Sequence, residues 1–406
     1  MQNVNGNCKT NFQFLILQQL KRYHSIDIVR GLVMIIMALD HVRDLMHVNS
    51  ITQSPTDLTT TTPQLYFTRW ITYLCAPIFV FLAGTSAYVS LKSKNDLTFT
   101  KKHLLKRGLW LLILEFTVVN FALFFDVGFH TILFEVIAST GIGCIILSLL
   151  LRVPSRYLGF LGLIIIFSHN LAPLVPFAEN SILKIILMPF FSPGVIPLFS
   201  GKVFVMGYPP IPWFGIMLVG YACGQFFEMP DEKRKKLFSK IGISALILFL
   251  AIRYINMYGD SIQWSAQRNS LYTFLSFMNV TKYPPSLVFC LITLGIMFLL
   301  IAFAETFNKS FQRFCSVYGK VPLFYFVAHF YLIHFLTLAV LAFQGFHWSQ
   351  LEFQTGTFGR PKDIESGLKL WAIYLVWIGV VILLYRPCKW LGEYKATHNK
   401  WWLRYI

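Results

Sequence analysis

The chain has 406 residues, 56% of them hydrophobic and only 13% charged, where an ordinary soluble domain carries about 25% charged residues. That balance excludes a string of soluble domains: apolar runs of roughly 20 residues recur from end to end, so 23–406 reads as one membrane domain behind a cytoplasmic segment at 1–22. The net charge of +17 excludes nucleic-acid binding less by its size than by its placement, in short clusters between apolar runs rather than on one continuous face.

Along the chain, Phe12–Leu17 followed by Lys21 and Arg22 is too short for a signal-peptide core, so the first true helix is expected to act as an uncleaved signal anchor. Apolar runs predict helices near 26–46, 66–90, 104–125, 131–151, 157–174, 209–228, 238–257, 285–305, 320–343 and 368–386. The segment 175–208 is rich in proline and glycine, too apolar for a free loop and too broken for a span, which predicts a re-entrant or interfacial segment. The expected fold class is therefore an all-α polytopic bundle of about ten transmembrane helices. With both ends inside, 25 of the 35 Lys and Arg fall on the cytoplasmic side, including the run Lys233–Lys236, as the positive-inside rule requires. Aromatic residues cluster near helix ends, and no internal repeat of the secondary-transporter kind is visible.

The seven cysteines are scattered through apolar runs without C-x-x-C spacing, which predicts small buried hydrophobes rather than a disulfide framework or a zinc site. No metal-ligand spacing, phosphate-cradling glycine loop or serine-hydrolase elbow occurs.

Ionisable groups inside a bilayer are expensive and point to function, and the first helix holds the densest set. Arg30 stands near its inner end, and Asp40, His41, Arg43, Asp44 and His47 crowd the outer end. Arg30 and His41 are 11 residues apart, about 16 Å and close to three whole turns, so they project from nearly the same face at different depths. His41 and Asp44 are i,i+3 neighbours, and Asp40 and Asp44 are i,i+4 neighbours. A carboxylate beside the imidazole would suit His41 as a general base, while an arginine fork suits a phosphate-bearing ligand. Asp27 and Arg43 fit positioning roles, and the same cluster read only as interhelical ion pairs is the simpler alternative. Elsewhere, Glu115, Asn120, Glu135, Asp126, His130 and His169 are weaker signals. His329 and His334 project about 140° apart on one helix, a poor metal pair, and His329 is a second-rank candidate.

The segment SIDIVRGLVMIIMALDHVRD resembles the opening signature of the heparan-α-glucosaminide N-acetyltransferase catalytic-domain family, in its bacterial branch. The resemblance continues at 67–88, at 279–295, at 318–334 and in the ending WWLRYI. It implies a transmembrane acyltransferase that takes an acyl group, typically acetyl, from acetyl-CoA on the cytoplasmic side. The group passes to a sugar amine or hydroxyl on the far side. Related O-acyltransferases of surface polysaccharides carry an Arg, ten residues, then His in the first helix, which Arg30 and His41 match. The resemblance thus implies Arg30 toward the acyl donor and His41 as the catalytic imidazole; Lys106 and Arg107 are expected near the phosphates of the donor, and Asp40 or Asp44 is expected to orient His41. Arg43 and His329 would lie toward the acceptor. Lysosomal members carry an amide near the His41 position and a catalytic histidine further along the lumenal loop, which makes His47 the alternative. Direct attack on the thioester and an acyl-histidine intermediate both fit. The expected partners are acyl-CoA, a carbohydrate acceptor and the lipid bilayer, with no nucleic acid and no metal; a homo-oligomer is compatible. A bacterial inner membrane is the expected location. The rival reading is a transporter or exporter of a small polar solute, with the buried charges as a proton relay.

Overall fold

A computed structural model describes residues 23–174, 182–354 and 356–405. The N-terminal segment 1–22, with its short apolar stretch, lies outside the described residues.

The protein is mostly helical. In chain order the helices are α1 (His24–Met46), α2 (Pro63–Thr72), α3 (Cys75–Lys94), α4 (Leu97–Leu114), α5 (Asn120–Phe124), α6 (Val136–Leu150), α7 (Ser155–Ser168) and α8 (Ile182–Phe191). They continue with α9 (Pro210–Cys223), α10 (Asp231–Ile255), α11 (Ser270–Met278), α12 (Leu287–Phe303), α13 (Lys309–Gly319), α14 (Pro322–Phe343) and α15 (Leu370–Thr397). Local chemistry sets many of these ends. Thr62 caps α2 by accepting from the Leu65 N–H, with Pro63 at the first position. Asn95 closes α3 in the left-handed conformation (φ 47°), and the next residue, Asp96, caps α4 by accepting from the Phe99 N–H. Ser286 and Asn308 cap α12 and α13 in the same manner.

Six helical stretches are long and apolar enough to cross a membrane: Pro63–Lys94, Leu97–Phe124, Asp231–Ile255, Leu287–Thr306, Pro322–Phe343 and Leu370–Thr397. The chain is an integral, multi-pass membrane protein. α1 has the length of a span, about 34 Å for its 23 residues, but carries the charged cluster. It lies at the centre of the bundle, packed against α2, α3 and α12 to α15. By contrast α10 and α15 are peripheral, exposing Ile243, Ile247, Leu250, Leu375, Ile382 and Leu383, as lipid-facing surfaces do.

Small residues let the central helices approach closely. A Cβ on Gly31 of α1 would stand 1.8 Å from the Cys315 carbonyl oxygen of α13, and one on Gly319 would stand 1.9 Å from that of Asp27. Gly84 and Gly220 play the same part where α3 meets α9, each with a backbone oxygen within 2.1 Å of the added Cβ.

Three expectations are corrected. Residues 131–135 are not helical: Thr131–Phe134 forms β1, and α6 begins only at Val136. β1 pairs in parallel with β3 (Val203–Met206), which pairs antiparallel with β2 (Gly194–Pro197), so the 175–208 segment, of which 175–181 lie outside the described residues, contributes two strands of a small sheet as well as the short helix α8. Proline and glycine break helical continuity there, and the apolar hairpin residues gain partners across the ladder. The last helix runs past Pro387 to Thr397, because Cys388 and Leu391 find buried sites while Lys389 and Trp390 face outward. The six described cysteines are free and buried.

Candidate functional site: two chambers joined at a waist

Beside α1 lie two cavities. One, about 310 Å³, is lined by Asp40, His41, Asp44, Arg69, Glu135, Tyr208, Lys282 and Tyr283. The other, about 360 Å³, is lined by Arg30, Ser86, Ser90, His103, Arg107, Thr140, Lys320 and Lys395. Phe79, Val136 and Phe326 line both, so the two chambers meet at an apolar waist. Helical phase turns Arg30 and His41 to the same side of α1, and the three turns between them place one in each chamber.

The chambers differ in charge. Arg30, Arg107, Lys320 and Lys395 line the Arg30 chamber, and among the described residues no Asp or Glu does. Arg30 is held in place by Ser86 Oγ at 3.0 Å, by the Gly319 carbonyl at 3.3 Å and by Asp27 at 3.5 Å. The His41 chamber has mixed charge, with Asp40, Asp44 and Glu135 facing Arg69 and Lys282.

Asp40 is the hub of the polar cluster. One carboxylate oxygen accepts from Arg43 at 2.7 Å and the other from Arg69 on α2. Arg43 also donates to Asp44 at 2.6 Å. Neither carboxylate hydrogen-bonds His41, which corrects the expected Asp–His pairing. Charge-assisted arginine forks outcompete a neutral imidazole for a buried carboxylate, and Asp40 and Arg43 face one another at i,i+3. The His41 ring makes no hydrogen bond to any described residue. It packs at 4.2 Å, centroid to centroid, on Phe330 and at 5.1 Å on His329. His329 is fully buried behind it, its Nδ1 bonded to the Tyr325 carbonyl at 3.0 Å and its Nε2 without a partner.

Other expected site residues lie elsewhere. His47 lines neither chamber. It sits just beyond α1 in a clasp, where Arg360 donates to its carbonyl at 2.7 Å, to the Val48 carbonyl at 3.0 Å and to Ser50 Oγ at 2.8 Å. Burial, reinforced by the nearby Arg43 and Arg360 cations, holds the His47 imidazole below the ordinary histidine pKa. Burial also brings Arg360 down to about 10. Lys106 is exposed on α4 and lines neither chamber, whereas Arg107 does line one. Arg43 is 2% exposed and is chiefly an ion-pair residue. His169 and His334 bond backbone carbonyls away from both chambers. Asp126 takes the Gly128 and His130 N–H groups in a turn. Glu115 accepts from the Ala138 N–H at 3.2 Å, serving the start of α6. Among the described residues no three His, Cys, Asp or Glu side chains gather as a metal-ligand set.

Sequence reasoning missed Arg69, Lys282, Tyr208 and Tyr283 as chamber residues. Arg69 and Lys282 carried a usable signal, a charge inside or at the edge of an apolar run, but neither lies near α1 in sequence.

No curated protein compared with the chain matches it. The family profile described as heparan-alpha-glucosaminide N-acetyltransferase, catalytic, matches residues 22–258, a stretch that takes in Arg30, the His41 cluster, Arg69, the waist residues Phe79 and Val136, and Tyr208. On that match, over more than half its length, the chain belongs to the heparan-α-glucosaminide N-acetyltransferase catalytic-domain family, a family of membrane acetyltransferases.

Proposed function

We propose that the protein is a ten-span transmembrane acyltransferase, one domain from 23 to 406, with its basic segments facing the cytoplasm of a bacterial inner membrane. It takes an acetyl group from acetyl-CoA in the Arg30 chamber. It delivers the group to an amine or hydroxyl of a sugar in the His41 chamber. The observation that carries this reading is the pair of chambers meeting at Phe79, Val136 and Phe326, with His41 on one side and four cationic side chains on the other.

The basic lining suits a donor whose nucleotide end carries phosphates. The apolar waist admits the narrow acyl-bearing arm and excludes water from the thioester. At its far end the acceptor nucleophile attacks the thioester carbonyl carbon. As the C–N or C–O bond forms and the C–S bond breaks, His41 takes the proton released by the nucleophile and passes it to the departing thiolate. An imidazole packed on Phe330 and free of a carboxylate partner can do this with little rearrangement. The Asp40 carboxylate, next to His41 on α1, favours the imidazolium formed in that step.

The test is acetyl-CoA-dependent release of free CoA by purified protein across a panel of amino sugars and polyols. His41→Ala is expected to lose at least about a hundredfold in acceptor-dependent release, as for removal of a general base. Undiminished release would remove His41 from catalysis. An absence of both release and acetyl-CoA binding would overturn acyl transfer in favour of solute transport.

A further inference from the structure

Two charges of the His41 chamber, Lys282 and Glu135, have no ion pair within 4.0 Å to any described residue. Arg69 is matched by Asp40, and Arg43 by Asp40 and Asp44. Lys282 has no such contact, and Glu135, the third carboxylate of the chamber, stands beyond ion-pair distance. Lys282 is only 6% exposed, yet its ammonium makes no hydrogen bond and no ion pair within 4.0 Å to any described residue. Three aromatic rings surround it instead: Tyr283 at 5.1 Å, Tyr208 at 5.8 Å and Tyr73 at 6.0 Å from ring centroid to nitrogen. Ring faces soften the burial of a cation without supplying an acceptor for its N–H groups. A buried charge left in that state is a standing demand for an anion.

A second observation says where that anion would lie. A side cavity of about 280 Å³ adjoins the His41 chamber and shares Asp44, Arg69, Lys282 and Tyr283 with it. Three cations, Arg43, Arg69 and Lys282, line this annex against the single carboxylate of Asp44. In the main chamber the balance is reversed, with three carboxylates against two cations. The charged lining therefore differs, carboxylate-rich in the main chamber and cation-rich in the annex. Such a difference favours a ligand that brings an amine to His41 and an acid to the annex.

We propose that Lys282 is the centre of an anion subsite, and that the acceptor carries a carboxylate or phosphate which docks there while its nucleophile faces His41. The word acceptor rests on the acyl-transfer reading; the anion subsite itself does not.

The experiment has two arms on the full-length protein in detergent. In the first, glucuronate, inorganic phosphate and glucose are compared for their effect on the melting midpoint and by direct titration, with native protein, Lys282→Met and Lys282→Arg. Either acidic probe is expected to stabilise the native protein and the Arg variant, with glucose and the Met variant giving no shift. Which probe succeeds distinguishes a carboxylate site from a phosphate site. In the second arm, CoA release is measured with glucosamine, muramic acid and glucosamine 6-phosphate. The favoured acidic acceptor is expected to exceed glucosamine about tenfold in kcat/KM, the scale of a charge-assisted hydrogen bond, with the ratio falling to about one in Lys282→Met. No shift with either acidic probe, or a shift that survives Lys282→Met, overturns the proposal. Lys282-dependent probe binding without turnover of any acceptor would leave the anion subsite standing and sink acyl transfer.

Discussion

Replacing Gly31 with alanine tests the arrangement on which both chambers depend. The added Cβ would lie 1.8 Å from the Cys315 carbonyl oxygen and 2.5 Å from its carbonyl carbon. Both are backbone atoms of α13, so no side chain can swing aside. An ordinary carbon–oxygen contact is about 3.2 Å or more, which means α1 and α13 must part by roughly 1.4 Å at this crossing. Overpacking a close contact costs about 1–3 kcal/mol, and the upper end applies here because two whole helices must move. Scaled by the unfolding entropy of a chain this long, 3 kcal/mol lowers a melting midpoint by roughly 4 °C. Activity is the more sensitive readout, because Gly31 follows Arg30 directly and the same helix carries His41. A displacement on the order of 1 Å at positioned groups lowers turnover about a hundredfold. Gly379→Ala in α15 is the matched control, since its Cβ would meet nothing within 4 Å. The assay is apparent melting midpoint in detergent beside CoA release for both variants. Gly31→Ala as stable and active as Gly379→Ala would refute the close α1–α13 crossing.

Three further outcomes are expected. Val136→Trp should plug the waist, abolishing transfer while radiolabelled acetyl-CoA still binds; normal turnover would show that the acyl group does not pass there. Arg69→Met leaves the Asp40 carboxylate short of a partner and should destabilise the protein by about 3 kcal/mol, with Asp40→Asn in the same chain recovering part of the loss in a double-mutant cycle. Additive effects of the two changes would deny the ion pair. The clasp should weaken in acid: the folded state holds His47 neutral below the ordinary value of about 6.5, so its contribution is complete above that value and is lost as pH falls through the depressed one. The midpoint should therefore fall between pH 7 and pH 5, and His47→Gln should flatten that slope; an unchanged slope would remove His47 as its source.

Much of the fold was legible because a lipid-crossing helix announces itself in local sequence. Every predicted span has a helix at its place, and the ends marked by Thr62, Asn95, Asp96 and Ser286 follow from capping chemistry available within four residues. The strand Thr131–Phe134 escaped that reading. Its apolar residues fit either period, and only pairing with Val203–Met206 makes it extended.

The division is the same at the site. Sequence by itself determined that α1 holds the densest set of ionisable groups and that Arg30 and His41 share a face three turns apart, since helix geometry needs nothing beyond spacing. Only the tertiary structure decided the partners. Asp40 turns from His41 to Arg69, 29 residues away, and Lys282 arrives beside the same chamber from a distant loop. His47 lies one turn and a half past His41 in sequence, yet the end of α1 and the Arg360 clasp carry it out of the chamber. Periodicity fixes the direction of a side chain on its own helix. Which charge it meets depends on how separate helices pack, and that is settled by close contacts such as Gly31 on Cys315.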